Sequence, residues 1–275
     1  MSRRTRQAVA RLLRLLVYLV VLSFFLFPIF WIVMTAFKTA DEFMHSPPVW
    51  FPAHPTLNSF AHAIEVGGLK ALQNSLIISI SATALSLIIG AMSGYGLARF
   101  QVGGNNLPFF ILSQRFMPPV AVIFPFLLLF RNLRWLDSYQ ALIVLHLTFN
   151  LPYAVWMLRS FFLEIPREIE ESALVDGASA FGAFWRVALP LVAPGLIATG
   201  VFCFIFSWSE FFFAVSLTQT RAVPLSVALP NFFGKQMVMW GEVGSLSVIS
   251  VAPLFLLSIL VQRYLVRGLT MGAVK

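Results

Sequence analysis

The chain has 275 residues, 59% of them hydrophobic and 11% charged, with a formal net charge of +8. Soluble domains carry about 25% charged residues, so this chain has too little polar surface to cover a water-soluble globule, and its apolar content excludes intrinsic disorder. The one cysteine, Cys203, excludes an intrachain disulfide and a cysteine-based metal site.

A membrane-spanning helix needs about 20 predominantly apolar residues. Six stretches almost free of Asp, Glu, Lys and Arg meet that requirement: 15–37, 71–98, 107–130, 138–158, 187–209 and 243–262. Before the first lies a basic segment, 1–14, with Arg3, Arg4, Arg6, Arg11 and Arg14. The first apolar run exceeds the roughly 7–15 residues of a signal-peptide core, so it reads as a retained anchor. In the loop 38–70 four prolines, with Ser46-Pro47-Pro48-Val49-Trp50-Phe51-Pro52 at its centre, forbid a long helix. Its His45, His54 and His62 are spaced too irregularly for a metal site.

In the second span, Gly90, Gly94 and Gly96 suit close helix packing. The turn Gly103-Gly104-Asn105-Asn106 leads to the third, where Arg115 is a charge within the membrane and Met117-Pro118-Pro119 should break or kink the helix. A short polar segment, 131–137, separates spans three and four. The apolar character of span five continues past Glu210 to Leu217. The loop 218–242 is long enough to touch a soluble partner, and a tail, 263–275, follows the sixth span.

Six spans place both termini on one side. If that side is the cytoplasm, inner segments hold twelve Lys and Arg residues and outer segments six, with Arg115 inside a span. This bias orients the chain with N- and C-termini cytoplasmic. Orientation thus accounts for most of the positive charge, and no nucleic-acid partner is needed.

The loop 159–186 differs from the others. It holds Glu164, Glu168, Glu170, Glu171 and Asp176, five of the eleven acidic residues. A helix is expected to start at Pro166, where proline suits the first turn and acidic residues favour the dipole. Asp176-Gly177 should end it. A second amphipathic piece through Phe181, Phe184, Trp185 and Ala188 should stop at Leu189-Pro190, and Asp176 is placed to cap that second helix. The product is a knob of two short helices with a glycine elbow.

Glu171-Ser172-Ala173-Leu174-Val175-Asp176-Gly177-Ala178, followed by Val187-Ala188-Leu189-Pro190, resembles the EAA loop of permease subunits of binding-protein-dependent ABC importers. That pattern reads E-A-A, three residues, G, nine residues, I-x-L-P. Ser172 replaces the second Ala and Val187 the Ile. The C-terminal run from Gln262 to Lys275, Asn74-Ser75, Met117-Pro118-Pro119 and Trp208-Ser209-Glu210-Phe211 are similar to the carbohydrate-uptake, MalG-like branch.

This resemblance implies an all-α membrane protein with six transmembrane helices and the type I importer, MetI-like fold, in the bacterial inner membrane. It implies a partnership with a second, MalF-like permease, two cytoplasmic ATPase subunits and an extracytoplasmic solute-binding protein, in contact with membrane lipid. The chain has no phosphate-binding GxxxxGK[ST] loop, so it should bind no cofactor itself, with ATP and Mg on the ATPase partners. Within the core 71–262, the loop 164–190 would couple to the ATPase through Glu171, Ala173, Asp176, Gly177, Ala178, Leu189 and Pro190. In the tail, Arg267, Gly272 and Lys275 would form a second docking element. A solute pathway would draw on Asn74, Asn150, Trp156, Trp208 and Glu210. The cargo would be a sugar, polyol or sugar derivative.

Two other classes fit less well. An ion-coupled secondary transporter of a small polar solute would need coupling carboxylates near the midplane and internal repeats; only Glu210 approaches the first requirement. A membrane-embedded enzyme would need clustered His, Asp or Glu, and His146 stands alone.

Overall fold

With no water to satisfy backbone polar groups, apolar segments in lipid must bond their own backbone. Consistent with this, the elements of the computed structural model, which describes residues 3–100, 102–104, 106–232 and 239–271, are all helices. In chain order they are α1 (Arg3–Ala36), α2 (Ala40–Phe43), α3 (Asn58–Ala63), α4 (Leu69–Arg99), α5 (Asn106–Ser113), α6 (Pro119–Asn132) and α7 (Tyr139–Glu164). There follow α8 (Arg167–Val175), α9 (Ala180–Ala183), α10 (Leu189–Leu191), α11 (Ala193–Trp208), α12 (Phe212–Leu217), α13 (Leu225–Asn231) and α14 (Trp240–Met271).

Four stretches are long and apolar enough to cross a membrane: Ala10–Ala36, Asn58–Arg99, which is kinked at Val66-Gly67, Tyr139–Glu164 and Trp240–Gln262. The expected third and fifth spans are bent pairs. Asn106–Phe116 meets Pro119–Asn132 at 87°, and Ala180–Leu191 meets Ala193–Trp208 at 75°. Each pair taken as one span gives six. The first bend sits at Met117-Pro118, both in extended conformation, because Pro119 disfavours helix at the residue before it and Pro118 does so one residue earlier. The second bend falls at Val192, two residues beyond the expected stop at Pro190, which instead lies within the last helical turn before it. Tyr139–Glu164 runs past the expected end at 158, and α14 runs past 262 to Met271.

The chain forms two compact units. The first comprises residues 1–69 and 229–251. Most of α1 exposes its apolar side chains from Leu12 to Ile29, as a helix facing hydrocarbon does. The loop after it folds back over its end: Trp50 packs edge-on to Trp31 at 5.7 Å, and Phe51 against Phe30 at 5.7 Å. Such an aromatic cluster suits the membrane–water interface. Lys38 is buried with its Nζ 4.1 Å from the Trp31 ring centre, and that burial lowers its ammonium pKa. Glu42 locks the loop, accepting from the backbone of Thr39 at 3.0 Å and of Ala53 at 2.7 Å, bonds that hold its carboxyl below the usual range. Gly244 lies against the Ala36 backbone so closely that a Cβ would stand 2.9 Å from its nitrogen.

The second unit comprises residues 70–228 and 252–275. Lipid is as apolar as leucine, so helices here associate through close contact rather than water exclusion. A Cβ on Gly90 would come within 2.8 Å of the Ala154 Cβ, and one on Gly94 within 2.8 Å of the Arg159 nitrogen. These two glycines let α4 and α7 touch backbone to backbone. Gly96 faces open space and takes no part, contrary to expectation. One buried cluster joins Ile78, Phe130, Leu142, Leu145 and Phe213. Another, beside the loop 164–190, joins Ala91, Leu158, Phe162, Phe184 and Val192.

Candidate functional site

The acidic loop forms the expected knob. Helix α8 follows Pro166, with Glu168 and Glu170 in its first turn. It ends in a Schellman motif: Gly177 N–H donates to the Leu174 carbonyl and Ala178 N–H to that of Ala173, each at 3.0 Å. Gly177 takes φ +88°, a conformation that costs other residues about 1–2 kcal/mol. Ser179, not Asp176, caps α9, accepting from Gly182 N–H at 3.1 Å, while Asp176 closes α8. Asp176 precedes the left-handed turn, so the cap of the next helix falls to the first hydroxyl after it.

The sequence reading missed the residue that holds this knob in place. Glu170 is buried and Glu171, beside it, is exposed. Glu170 Oε1 accepts from Arg99 Nε at 2.9 Å and Nη2 at 2.5 Å, and its other oxygen accepts from the Tyr95 hydroxyl at 2.9 Å. Arg99 Nη2 also donates to the Ile165 carbonyl at 3.2 Å. The Tyr95 ring packs on Phe184 at 4.9 Å and on Phe162 at 5.3 Å. The knob is therefore tied to the end of α4 by a buried ion pair with its hydrogen bonds made, and to α7 by aromatic contact. A signal was present in the sequence: on α8, Glu170 shares a face with Ala173 and Leu174.

Part of the knob is apolar and open. Val175 is 87% exposed, Phe181 65%, Trp185 60% and Leu174 45%. Ala173 and Ala178 are half-buried, Leu189 packs beside the second cluster and Pro190 is exposed. Arg267 lies on α14, whereas Gly272 and Lys275 fall outside the described residues.

The expected pathway residues divide into two groups. Asn150 and Glu210 line a 280 Å³ pocket together with Arg115 and His146; Asn74, Trp156 and Trp208 do not line it. Asn74 is engaged elsewhere: its amide donates to the carbonyls of Arg221 at 3.1 Å and Val223 at 2.8 Å, and its oxygen accepts from Tyr139 at 2.7 Å. Ser75 accepts from Leu225 N–H at 2.8 Å, so Asn74-Ser75 clamps the segment before α13. Trp156 is half-buried, and Trp208 is buried and stacked on Phe204 at 5.4 Å.

Helix α11 stops at Trp208, one residue short of the expected end at 209, and the apolar run beyond it forms the separate α12. Glu210 sits in the break, and its carboxylate caps α12 by accepting from Phe213 N–H at 2.8 Å and Ala214 N–H at 3.0 Å. A second unforeseen carboxylate is Asp137, at φ +53°. It gathers the backbone N–H groups of residues 219–222 at 2.9–3.2 Å. Partial burial pushes its pKa up, but the bonds from Ala222, Arg221, Gln219 and Thr220 outweigh that and hold it well below the usual carboxylate range.

Residues 86–271 match the family described as the binding-protein-dependent transport system inner membrane component. A probable ABC transporter permease of Sinorhizobium fredii is 37% identical over 100% of this chain and 99% of its own length. The trehalose/maltose transport system permease of Thermococcus litoralis is 33% identical over 91% of each. The sulfoquinovosyl glycerol transport system permease of Agrobacterium fabrum is 34% identical over 91% of this chain and 89% of its own length. In fold, the chain matches a crystal structure of a bacterial ABC transporter involved in importing the acidic polysaccharide alginate, with TM-score 0.81, 22% identity and 96% and 98% of the two chains covered. The chain thus belongs to the inner-membrane components of binding-protein-dependent transport systems: it is a multi-pass permease subunit of an ABC importer, and the ATP hydrolysis that drives import belongs to partner subunits.

Proposed function

We propose that this permease works with a second, MalF-like permease to import a sugar, polyol or sugar derivative, with both termini in the cytoplasm. A binding protein delivers the solute from outside, and two ATPase subunits carrying ATP and Mg sit beneath the loop 164–190. The observation that carries this reading is the knob itself, anchored by Glu170–Arg99 and leaving Leu174, Val175, Phe181 and Trp185 exposed. Apolar side chains so exposed in a polar loop mark a docking surface. The relatives named for trehalose/maltose and sulfoquinovosyl glycerol support the cargo class.

Mechanically, closure of the ATPase dimer moves the knob as a rigid body. Glu171 offers a charge to a basic residue of the ATPase. Ala173, Asp176, Gly177 and Ala178 form the elbow, and Leu189-Pro190 set the approach to the bend at Val192. Because the buried ion pair fixes α8 to α4, displacement of the knob pulls on a spanning helix, and the spans rock between inward- and outward-facing arrangements. The tail residues Arg267, Gly272 and Lys275 add a second contact with the ATPases. Asn150 and Glu210 belong to the solute pathway.

The test joins co-purification with coupling. A tagged chain is expected to bring down a second permease and an ATPase. Glu171→Lys and Gly177→Trp are expected to leave membrane insertion intact while ATP is hydrolysed without uptake. Unchanged uptake in both variants would remove the coupling role from this loop.

A further inference from the structure

The pocket beside the start of α6 holds a buried histidine that the helix packing leaves without a partner. His146 is 5% exposed, and neither ring nitrogen has a hydrogen-bond partner. A neutral imidazole carries one donor and one acceptor, and leaving them unmade inside a protein costs about 1–3 kcal/mol each. Its Nε2 stands 3.6 Å from Glu210 Oε2, beyond hydrogen-bond range. Glu210 is held in place by α12, and the Asn150 amide by the Cys203 carbonyl at 3.1 Å and the Ser207 hydroxyl at 2.8 Å. Arg115 donates to the Phe149 carbonyl at 2.9 Å, and its Cζ lies over the Phe206 ring, 4.1 Å from the ring centre. No carboxylate pairs with that guanidinium among the described residues. Phe149 and Phe213, stacked at 4.8 Å, form an apolar wall.

We propose that this pocket binds one hydroxyl-bearing ring of the transported solute, with His146 as its central contact. One fixed anion, one fixed cation, an imidazole with both nitrogens unengaged and aromatic faces match a neutral polyol. Hydroxyls donate to Glu210 and to the imidazole, accept from Arg115 and from the imidazole N–H, and the C–H face of the ring lies on phenylalanine. At 280 Å³ the pocket is near the lower limit of about 300 Å³ for small-molecule clefts, which suits one ring and not an oligosaccharide. This subunit therefore makes solute contacts of its own. The inference rests on the sugar-import reading above and adds the site and its chemistry.

The test uses the complete importer, with its permease and ATPase partners and binding protein, reconstituted in proteoliposomes. Uptake of radiolabelled trehalose and maltose is measured with ATP hydrolysis in the same vesicles. His146→Leu is expected to lower the sugar imported per ATP hydrolysed about three- to tenfold, the effect of one lost hydrogen bond. His146→Gln, which keeps a donor and an acceptor, should restore most of it. A purely structural histidine would change uptake and hydrolysis together and leave the ratio unmoved. Should His146→Leu fail to assemble, His146→Phe removes both nitrogens at nearly constant volume and carries the same measurement. An unchanged ratio while the wild type imports sugar overturns the pocket and leaves water as the partner of His146. No uptake of either sugar by the wild type overturns the sugar reading, and the ligand named here with it.

Discussion

Arg99 and Arg115 are both placed inside the helical second unit, and they live in opposite circumstances. Arg99 has a carboxylate, a carbonyl and the ring of Tyr95 around it, and the side chains of its ion pair are 8% and 7% exposed. Arg115 has a carbonyl and aromatic faces, with the buried His146 and the carboxylate of Glu210 lining the same pocket. Charges taken out of water are tolerated where every bond is made, and removal of one partner then exacts the full desolvation cost. In the proposed mechanism the first arginine is a joint that transmits displacement of the knob, and the second belongs to a site whose bonds the solute completes.

The largest effect should come from breaking the joint. Glu170→Ala leaves the Arg99 guanidinium buried without its carboxylate, and such truncations cost about 3–5 kcal/mol. Protease cleavage of the loop 164–190 in solubilised complex should rise steeply, with import lost. Glu170→Gln keeps an acceptor for Tyr95 and should fall in between. A Glu170→Ala complex that resists protease like the wild type would mean the knob is held by its aromatic contacts alone.

Next in size is Asp137, a carboxylate satisfied by backbone rather than by an arginine. Hydrogen bonds to charged groups contribute about 1.5–3 kcal/mol, so Asp137→Asn should loosen the segment 218–224, read as faster amide exchange at residues 219–222. Its carboxyl titrates below the ordinary value of 3.8. The stabilisation is therefore complete above that value and fades as the pH falls through it toward the folded-state pKa. Exchange at these amides should accelerate on acidification in the wild type and be far less pH-dependent in the Asn variant, apart from the intrinsic chemistry of exchange.

Hydropathy and charge counting were enough to find six apolar segments, because lipid imposes one rule on every residue of a span. Hydropathy alone registers neither bend, but the prolines do. Met117-Pro118-Pro119 announced the first where it was expected, and the second, expected at Leu189-Pro190, falls two residues later at Val192, where Pro194 opens the next helix. The knob was legible through Pro166, Gly177 and the spacing to Leu189-Pro190, since turn residues act on their own backbone. Its anchor was not, because the Arg99–Glu170 contact joins residues 71 apart in sequence. Among the pathway candidates, Asn74 shows the limit of reading polarity alone. A buried amide looks the same in sequence whether it faces a solute or clamps the segment at 221–223.

A smaller effect is expected at the elbow. Gly177→Ala meets no atom within 4 Å of its Cβ, so crowding contributes nothing and the cost is backbone strain at φ +88°, about 1–2 kcal/mol. Loss of stability should be modest while the ratio of import to ATP hydrolysis falls, since the angle between α8 and α9 sets the shape of the docking surface.

The smallest change in stability is predicted one residue from the largest. Glu171 is exposed, and its side chain has no hydrogen bond or ion pair among the described residues. Substitutions at such surface positions shift stability by about 0.5 kcal/mol or less, so Glu171→Ala should melt with the wild type and resist protease equally well. If the exposed carboxylate meets a basic residue of the ATPase, that same variant should show weakened recovery of the ATPase on co-purification, and raised salt should weaken wild-type recovery toward it. Glu170→Ala would then fail by releasing the knob and Glu171→Ala by leaving an intact knob undocked. If Glu171→Ala proved as protease-sensitive as Glu170→Ala, the two carboxylates would share the structural role and the division between an inward anchor and an outward contact would collapse.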